Sequence, residues 1–235
     1  MTTELKKYGL IGAMDEEIEL MLKGVEQMEK TVKAGIHFYE GFFLSKEIVL
    51  CKSGVGKVNA AICTQILIDL YKVDAIIFTG VAGALHPSLE IGDMVISADC
   101  MHHDMDVTSL GFPRGTIPYE TNSIFAADPA LIQAAYESSQ KVLDGFSMIG
   151  RVLSGDQFIT NRDLVQYFHE DLGGACTEME GAAVAQVCSK NDIPFVVIRS
   201  MSDKADGSAH VNFVDFTVKA SRHSYNIVEE MFRSL

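Results

Sequence analysis

Residues 195–206, Phe-Val-Val-Ile-Arg-Ser-Met-Ser-Asp-Lys-Ala-Asp, run a largely apolar strand straight into a cluster of polar groups. Pro194 opens the segment, and the β-branched run Val196-Val197-Ile198 suits a strand covered on both faces, as in the parallel sheets of α/β proteins. Ligands of open α/β sheets gather at the carboxyl ends of such strands. Ser202 and Asp203 stand at that end, where capping a turn or helix and holding a ligand both suit them.

Strand-like runs alternate with helix-like runs along the rest of the chain, which predicts an α/β fold with a mostly parallel central sheet. Residues 8–14 form a first short strand, and Asp15-Glu-Glu-Ile-Glu-Leu-Met-Leu22 opens a helix with acids where the macrodipole favours them. Residues 37–44 and 47–52 read as a strand pair turning near Ser45, followed by a helix over 56–72. The strand at 75–79 is expected to stop at Gly80 and Gly83, and another covers 93–100. A long loop spans 108–122, Asp128-Pro129 caps a helix, and strands follow at 146–154 and 175–177. Helices are predicted over 180–191 and 213–234.

A chain of 235 residues with no linker-like stretch is long enough for one sizeable core, so residues 1–235 are expected to form a single domain. With 19 Lys and Arg against 32 Asp and Glu, the formal charge of −13 repels nucleic acid and anionic lipid alike. No apolar run approaches a bilayer span, and the first residues lack the apolar core of a secretory signal, so a cytoplasmic location is expected. Five scattered cysteines without a Cys-x-x-Cys pair read as buried reduced thiols.

Several strand ends carry glycines and carboxylates: Gly12-Ala-Met-Asp-Glu-Glu17, Thr79-Gly-Val-Ala-Gly83, Ser154-Gly-Asp-Gln-Phe-Ile159, Thr177-Glu-Met-Glu180 and Ser202-Asp203. In a parallel sheet they converge on one edge, which predicts a small-molecule pocket there. Gly54-Val-Gly56-Lys57 has Asn59 where a dinucleotide fingerprint needs its third glycine and lacks the spacing of a Walker loop, so it reads as a turn before a helix. His102-His103-Asp104-Met105-Asp106 offers metal-ligand types, but adjacent histidines on extended chain point to opposite faces; no metal is expected, and the segment reads as a solvated strand end with one hydrogen-bonded histidine. Neither a Ser-His-Asp order nor a Gly-x-Ser-x-Gly elbow supports acyl transfer.

Taken in order, Gly12 to Glu17, Ser53-Gly-Val-Gly-Lys57, Thr79 to Gly83, Ser154 to Ile159, Glu178-Met-Glu180 and Arg199-Ser-Met-Ser-Asp203 resemble the 5′-methylthioadenosine/S-adenosylhomocysteine nucleosidases. The resemblance covers nearly the whole chain. It implies the nucleoside phosphorylase-like fold, a three-layer α/β/α sandwich around a mixed central β-sheet, and cleavage of adenine from ribose by water without a cofactor.

Carried onto this chain, the resemblance makes Asp203 the acid that protonates adenine on its five-membered ring and Glu17 the base that activates water. The chemistry asks for two separated carboxyl groups: adenine leaves poorly as an anion, and water attacks an oxocarbenium-like sugar from the opposite face. To donate, Asp203 has to hold its proton, which burial beside other carboxylates would favour. By the same resemblance Phe158 stacks on adenine, the backbone of Ile159 reads its Watson-Crick edge, and Ser202 positions Asp203. Met179 packs on the ribose, Glu180 accepts from its hydroxyls, and Ala13, Met14 and Gly83 line the floor. Phe213 and Val55 border the 5′-thioether, while Val107, Leu110, Phe112 and Pro118 reach in from a second copy, which implies a homodimer.

This chain has Val81 where such sequences often carry serine, which removes a hydroxyl contact to substrate, and Gly181 where alanine is more usual. A nucleoside phosphorylase shares the fold but needs cationic or donor groups for a phosphate dianion, and Glu17 stands in the way. Hydrolysis of aminodeoxyfutalosine or 5′-deoxyadenosine would change only the 5′ side of the pocket. A non-catalytic nucleoside-binding protein has no need of both Glu17 and Asp203. Asp15 and Glu16 are expected to be solvated, and Asp206 to be a cap.

Overall fold

The computed structural model describes residues 7–205 and 213–235. In chain order its elements are β1 (Lys7–Gly12), α1 (Asp15–Lys23), β2 (Glu26–Lys33), β3 (Ile36–Phe43), β4 (Lys46–Lys52), α2 (Lys57–Asp69), β5 (Ala75–Ala84) and β6 (Met94–His102). They continue with β7 (Ile124–Ala126), α3 (Pro129–Val142), β8 (Ser147–Ser154), α4 (Arg162–Glu170), β9 (Gly174–Glu178), α5 (Gly181–Lys190), β10 (Phe195–Asp203) and α6 (Phe213–Ser234).

β5 organises the sheet. It runs parallel to β1 over its first residues, antiparallel to β9 over its last two, and parallel to β10 along most of its length. β10 also pairs with β6, β6 with β8 and β8 with β9, so these five strands close on themselves. β1, β4, β3 and β2 extend from β5 as an open wing. The sheet is mixed, and its layers are those of a three-layer α/β/α sandwich: α2 and α5 pack over one face, α1, α3 and α6 over the other. Cys63, Leu67 and Val184 anchor the first apolar layer, and Ile18, Leu131 and Val228 the second.

Local chemistry accounts for the element ends. Asp128 accepts from the N–H groups of Ala130 and Leu131 ahead of Pro129, the expected capped start of α3. Leu44 and Ser45 take positive φ in the tight turn between β3 and β4. Burial of all nine residues of β10 matches its apolar run. The five cysteines are buried and free.

Three elements escape the sequence pattern. β2 is exposed along its whole length and shows no apolar alternation, and pairing with β3 makes it a strand. β7 is three residues long, and α4 is short and polar on most of its surface.

Two expectations are corrected. β5 does not stop at Gly80 and Gly83 but passes through both. A Cβ on Gly80 would lie 2.4 Å from Glu17 Oε1 and 2.7 Å from an Arg199 nitrogen, and one on Gly83 would lie 3.0 Å from Asp203 Oδ1. These glycines admit charged groups against the strand rather than ending it. His102 and His103 are buried, not solvated: α5 covers His102, which is the one hydrogen-bonded histidine expected, its Nε2 meeting Gln186 Oε1 at 3.0 Å, and α4 covers His103, whose ring lies 4.4 Å from that of Phe168.

Because the Gly80 position has no spare volume, Gly80→Ala is expected to cost about 1 to 3 kcal/mol of stability, as overpacked cores do. The midpoint of urea unfolding measures it; an unchanged midpoint would contradict the packing described.

Candidate active site

The strand ends converge as expected, around a cleft of about 580 Å³ measured out to open solvent. Its walls come from the ends of β1, β5, β8, β9 and β10 and from the turn before α2.

Glu17 enters from the first turn of α1. Its Oε2 accepts from the N–H groups of Ala13 at 2.6 Å and Met14 at 3.0 Å, and its Oε1 from that of Val81 at 3.0 Å. Asp15 and Glu16 point to solvent, as expected, and Asp15 pairs with Lys52. Burial raises the Glu17 carboxyl above the ordinary glutamate range, while Arg199 and the three N–H groups pull the other way.

Asp203 ends β10 beside a register shift in its pairing with β5. Such a bulge turns side chains out of strict alternation, and here two successive residues, Ser202 and Asp203, both line the cleft. Ser202 Oγ donates to Asp203 Oδ2 at 2.9 Å and the Ala205 N–H to Oδ1 at 2.7 Å, so the carboxyl is held at both oxygens.

Glu180 sits at the start of α5, where its Oε1 accepts from the Gly56 N–H at 2.7 Å. Burial, then the neighbouring Glu178, pushes its carboxyl up to about 8, against the Gly56 N–H and Arg199. Met179, Val81, Ala13, Met14, Gly83 and Ile159 line the cleft as expected, with Phe158 and Val55 half exposed at its rim.

Val107, Leu110, Phe112 and Pro118 are not brought to the cleft within this chain. They lie on the loop after β6, where Leu110 is exposed and Phe112 meets Tyr119 edge to face. The side chain of Phe213, and Asp206 altogether, fall outside the described residues.

Glu178 and Arg199 are the important residues that sequence reasoning did not single out. Arg199 is 1% exposed, its guanidinium stacks 3.9 Å over Phe78, and it donates to Glu178 Oε2. Glu178 also accepts from Ser154 Oγ and from the N–H groups of Glu180 and Gly181, so it caps α5 from inside. The signal was an arginine inside an apolar strand, since a buried charge requires a partner. Among the described residues no three His, Cys, Asp or Glu side chains cluster to hold a metal ion.

The pattern of the phosphorylase superfamily matches residues 7–233. The 5′-methylthioadenosine/S-adenosylhomocysteine nucleosidase of Bacillus licheniformis is 41% identical over 232 residues, 97% of this chain and 99% of the relative. The crystal structure of the nucleosidase of that name from Neisseria meningitidis, in complex with methylthio-immucillin-A, superposes with a TM-score of 0.94 at 38% identity, covering 98% of this chain and 100% of that one. A futalosine hydrolase structure from Helicobacter pylori gives a TM-score of 0.92 at 33% identity, covering 98% and 99%.

A carboxyl raised by folding binds more protons in the native chain than in the unfolded one, so stability falls as pH rises between the two pKa values. For Glu180 that window runs from the ordinary glutamate value to about 8. Unliganded protein is therefore expected to lose thermal midpoint from pH 5 to pH 8, and Glu180→Gln to flatten that slope. Identical slopes for the two proteins would refute the assignment.

Proposed function

The chain belongs to the phosphorylase superfamily, and we propose that Asp203 and Glu17 divide between them the acid and base work of an N-glycosidic hydrolysis. The enzyme is a hydrolase of 5′-methylthioadenosine and S-adenosylhomocysteine, releasing adenine and the 5-thioribose. The observation that supports the division of labour is that two buried carboxyls from opposite ends of the chain line one cleft. They abut β5 at Gly80 and Gly83, positions three residues apart on the strand.

Asp203 gives its proton to the five-membered ring of adenine as the bond to the sugar breaks. Glu17 takes a proton from the water that attacks the cationic sugar carbon. Its burial brings the carboxyl nearer to neutrality, which suits a base that must first accept a proton and then give it up. Glu180 accepts from the ribose hydroxyls through carboxyl oxygens that lie beside the developing sugar cation. Phe158 stacks on adenine, the Ile159 backbone reads its edge, Met179 packs on the ribose, and Ser202 holds Asp203 in place.

Aminodeoxyfutalosine hydrolysis is the second reading, favoured by the structural likeness to the futalosine hydrolase. Since Glu17, Asp203 and Glu180 serve either substrate, the 5′ side of the cleft makes the choice. A second copy would close that side with Val107, Leu110, Phe112 and Pro118. The exposed Val55, Val58, Ile62, Leu110 and Phe158 supply apolar surface for such a homodimer. We propose a cytoplasmic location, and the acidic charge disfavours nucleic acid and anionic lipid as partners; no helix among the described residues is long and apolar enough to cross a membrane.

Purified protein is expected to release adenine from 5′-methylthioadenosine in phosphate-free buffer. Asp203→Asn is expected to lower kcat by about 10² to 10⁴ while nucleoside binding persists, because one acid is lost and the walls remain. Release that depends on added phosphate would replace hydrolysis by phosphorolysis, and a fully active Asp203→Asn would remove Asp203 from the mechanism.

A further inference from the structure

Outside the cleft lining, three residues from three different strand exits close a ring of hydrogen bonds. Lys57, the first residue of α2, donates its Nζ to Asp104 Oδ1 at 2.6 Å and its backbone N–H to Asp156 Oδ1 at 2.8 Å. The third side is the Asp156 N–H, which donates to Asp104 Oδ2 at 3.0 Å. Each residue thus contacts both of the others, and none of them lines the cleft.

The surroundings favour this arrangement over a chance surface contact. A lysine at the start of a helix opposes the macrodipole, and α2 has no acid in its first turn to compensate, so the cation needs Asp104. Gly56 takes φ +99°, and a Cβ there would lie 3.2 Å from Asp156 Oδ1, so the turn can approach Asp156 only as glycine. The Lys57 and Asp104 side chains are only about a fifth exposed (21% and 18%), which shields their attraction from water. Burial opposes charge on Asp104, yet Lys57 and the Asp156 N–H hold its carboxyl below the ordinary range. The adjacent His103 is lowered to about 4 by burial, so it stays neutral and does not compete for Asp104.

Two residues before Lys57 stands Val55, and two after Asp156 stands Phe158, both half-exposed residues of the cleft lining. Gly56, between Val55 and Lys57, donates to Glu180. We propose that Lys57 and Asp104 are positioning residues for substrate binding, their ring with Asp156 fixing the gap between the Val55 wall and the Phe158 shelf. The turn Gly54-Val-Gly-Lys57 and the segment His102 to Asp106 acquire a shared purpose: they bring the two halves of this pair together. The inference rests on the cleft accepting a nucleoside.

Steady-state adenine release by Lys57→Met, Lys57→Arg, Asp104→Asn and the Lys57→Met/Asp104→Asn double variant tests it, beside calorimetric titration with adenine. Lys57→Met and Asp104→Asn are each expected to raise KM about tenfold with kcat within about threefold, the signature of lost binding rather than lost chemistry. Lys57→Arg should recover most of that loss, and the double variant should be no worse than the poorer single one, because the two act as a unit. Unchanged KM, losses that multiply in the double variant, or a fall in kcat that tracks a falling thermal midpoint would each overturn the proposal. Failure of the nucleosidase reading would show separately, as wild-type protein that releases no adenine; titration with adenine would then still report on the ring.

Discussion

Arg199 lies under the cleft with its guanidinium on Phe78 and its charge balanced by Glu178, Glu17 and Glu180, which bring the ends of β9, α1 and α5 to the same place. A buried guanidinium left without a partner would cost several kcal/mol, so the Glu178 ion pair ties the end of β9 to β10, while Glu17 and Glu180 act on Arg199 through space. Gly80 serves the same constraint, since any side chain there would occupy the space in which Arg199 and Glu17 approach β5. Gly181 meets Glu178 in the same way, its missing Cβ lying only 3.1 Å from a carboxylate oxygen. Fold and site therefore share a single electrostatic centre.

One guanidinium cannot balance three glutamates. Glu178 holds the direct ion pair, and burial raises Glu17 and Glu180, so both sit nearer to their neutral forms than surface glutamates do. The cleft gathers more carboxyl groups than there are cations to balance them. Breaking a glycosidic bond creates positive charge on the sugar, so the carboxyls complement the transition state better than they complement the neutral ground state. That bias is built before substrate arrives, because backbone N–H groups and Arg199 fix the carboxyl oxygens in place.

The parts of this arrangement that local chemistry controls are visible in the sequence. Polar clusters at strand ends, the acids that open α1 and the Asp128-Pro129 cap all stand where their residue types put them. What escaped depends on partners distant along the chain. The glycines of β5 look like breakers until Arg199 and Glu17 are placed against them, and β2 has no apolar face to announce it. His102 and His103 looked solvated because nothing local shows that α4 and α5 cover them. Glu178 was quoted among the strand-end residues, but its task as counterion and inner cap required Arg199, 21 residues away.

The choice of water over phosphate follows from the same charge balance. A phosphate dianion in this cleft would face Glu17, Glu178, Glu180 and Asp203, and the lining contains no lysine, arginine or histidine among the described residues. Arg199 cannot be lent to it, because withdrawing the guanidinium from Glu178 would leave a buried carboxylate without its counterion. Water carries no charge into the site and needs only an acceptor, the part proposed for Glu17, whose oxygens three N–H groups hold in place. To convert the cleft to phosphorolysis, replacing Glu17 would not suffice; a second cation would have to enter without disturbing the first.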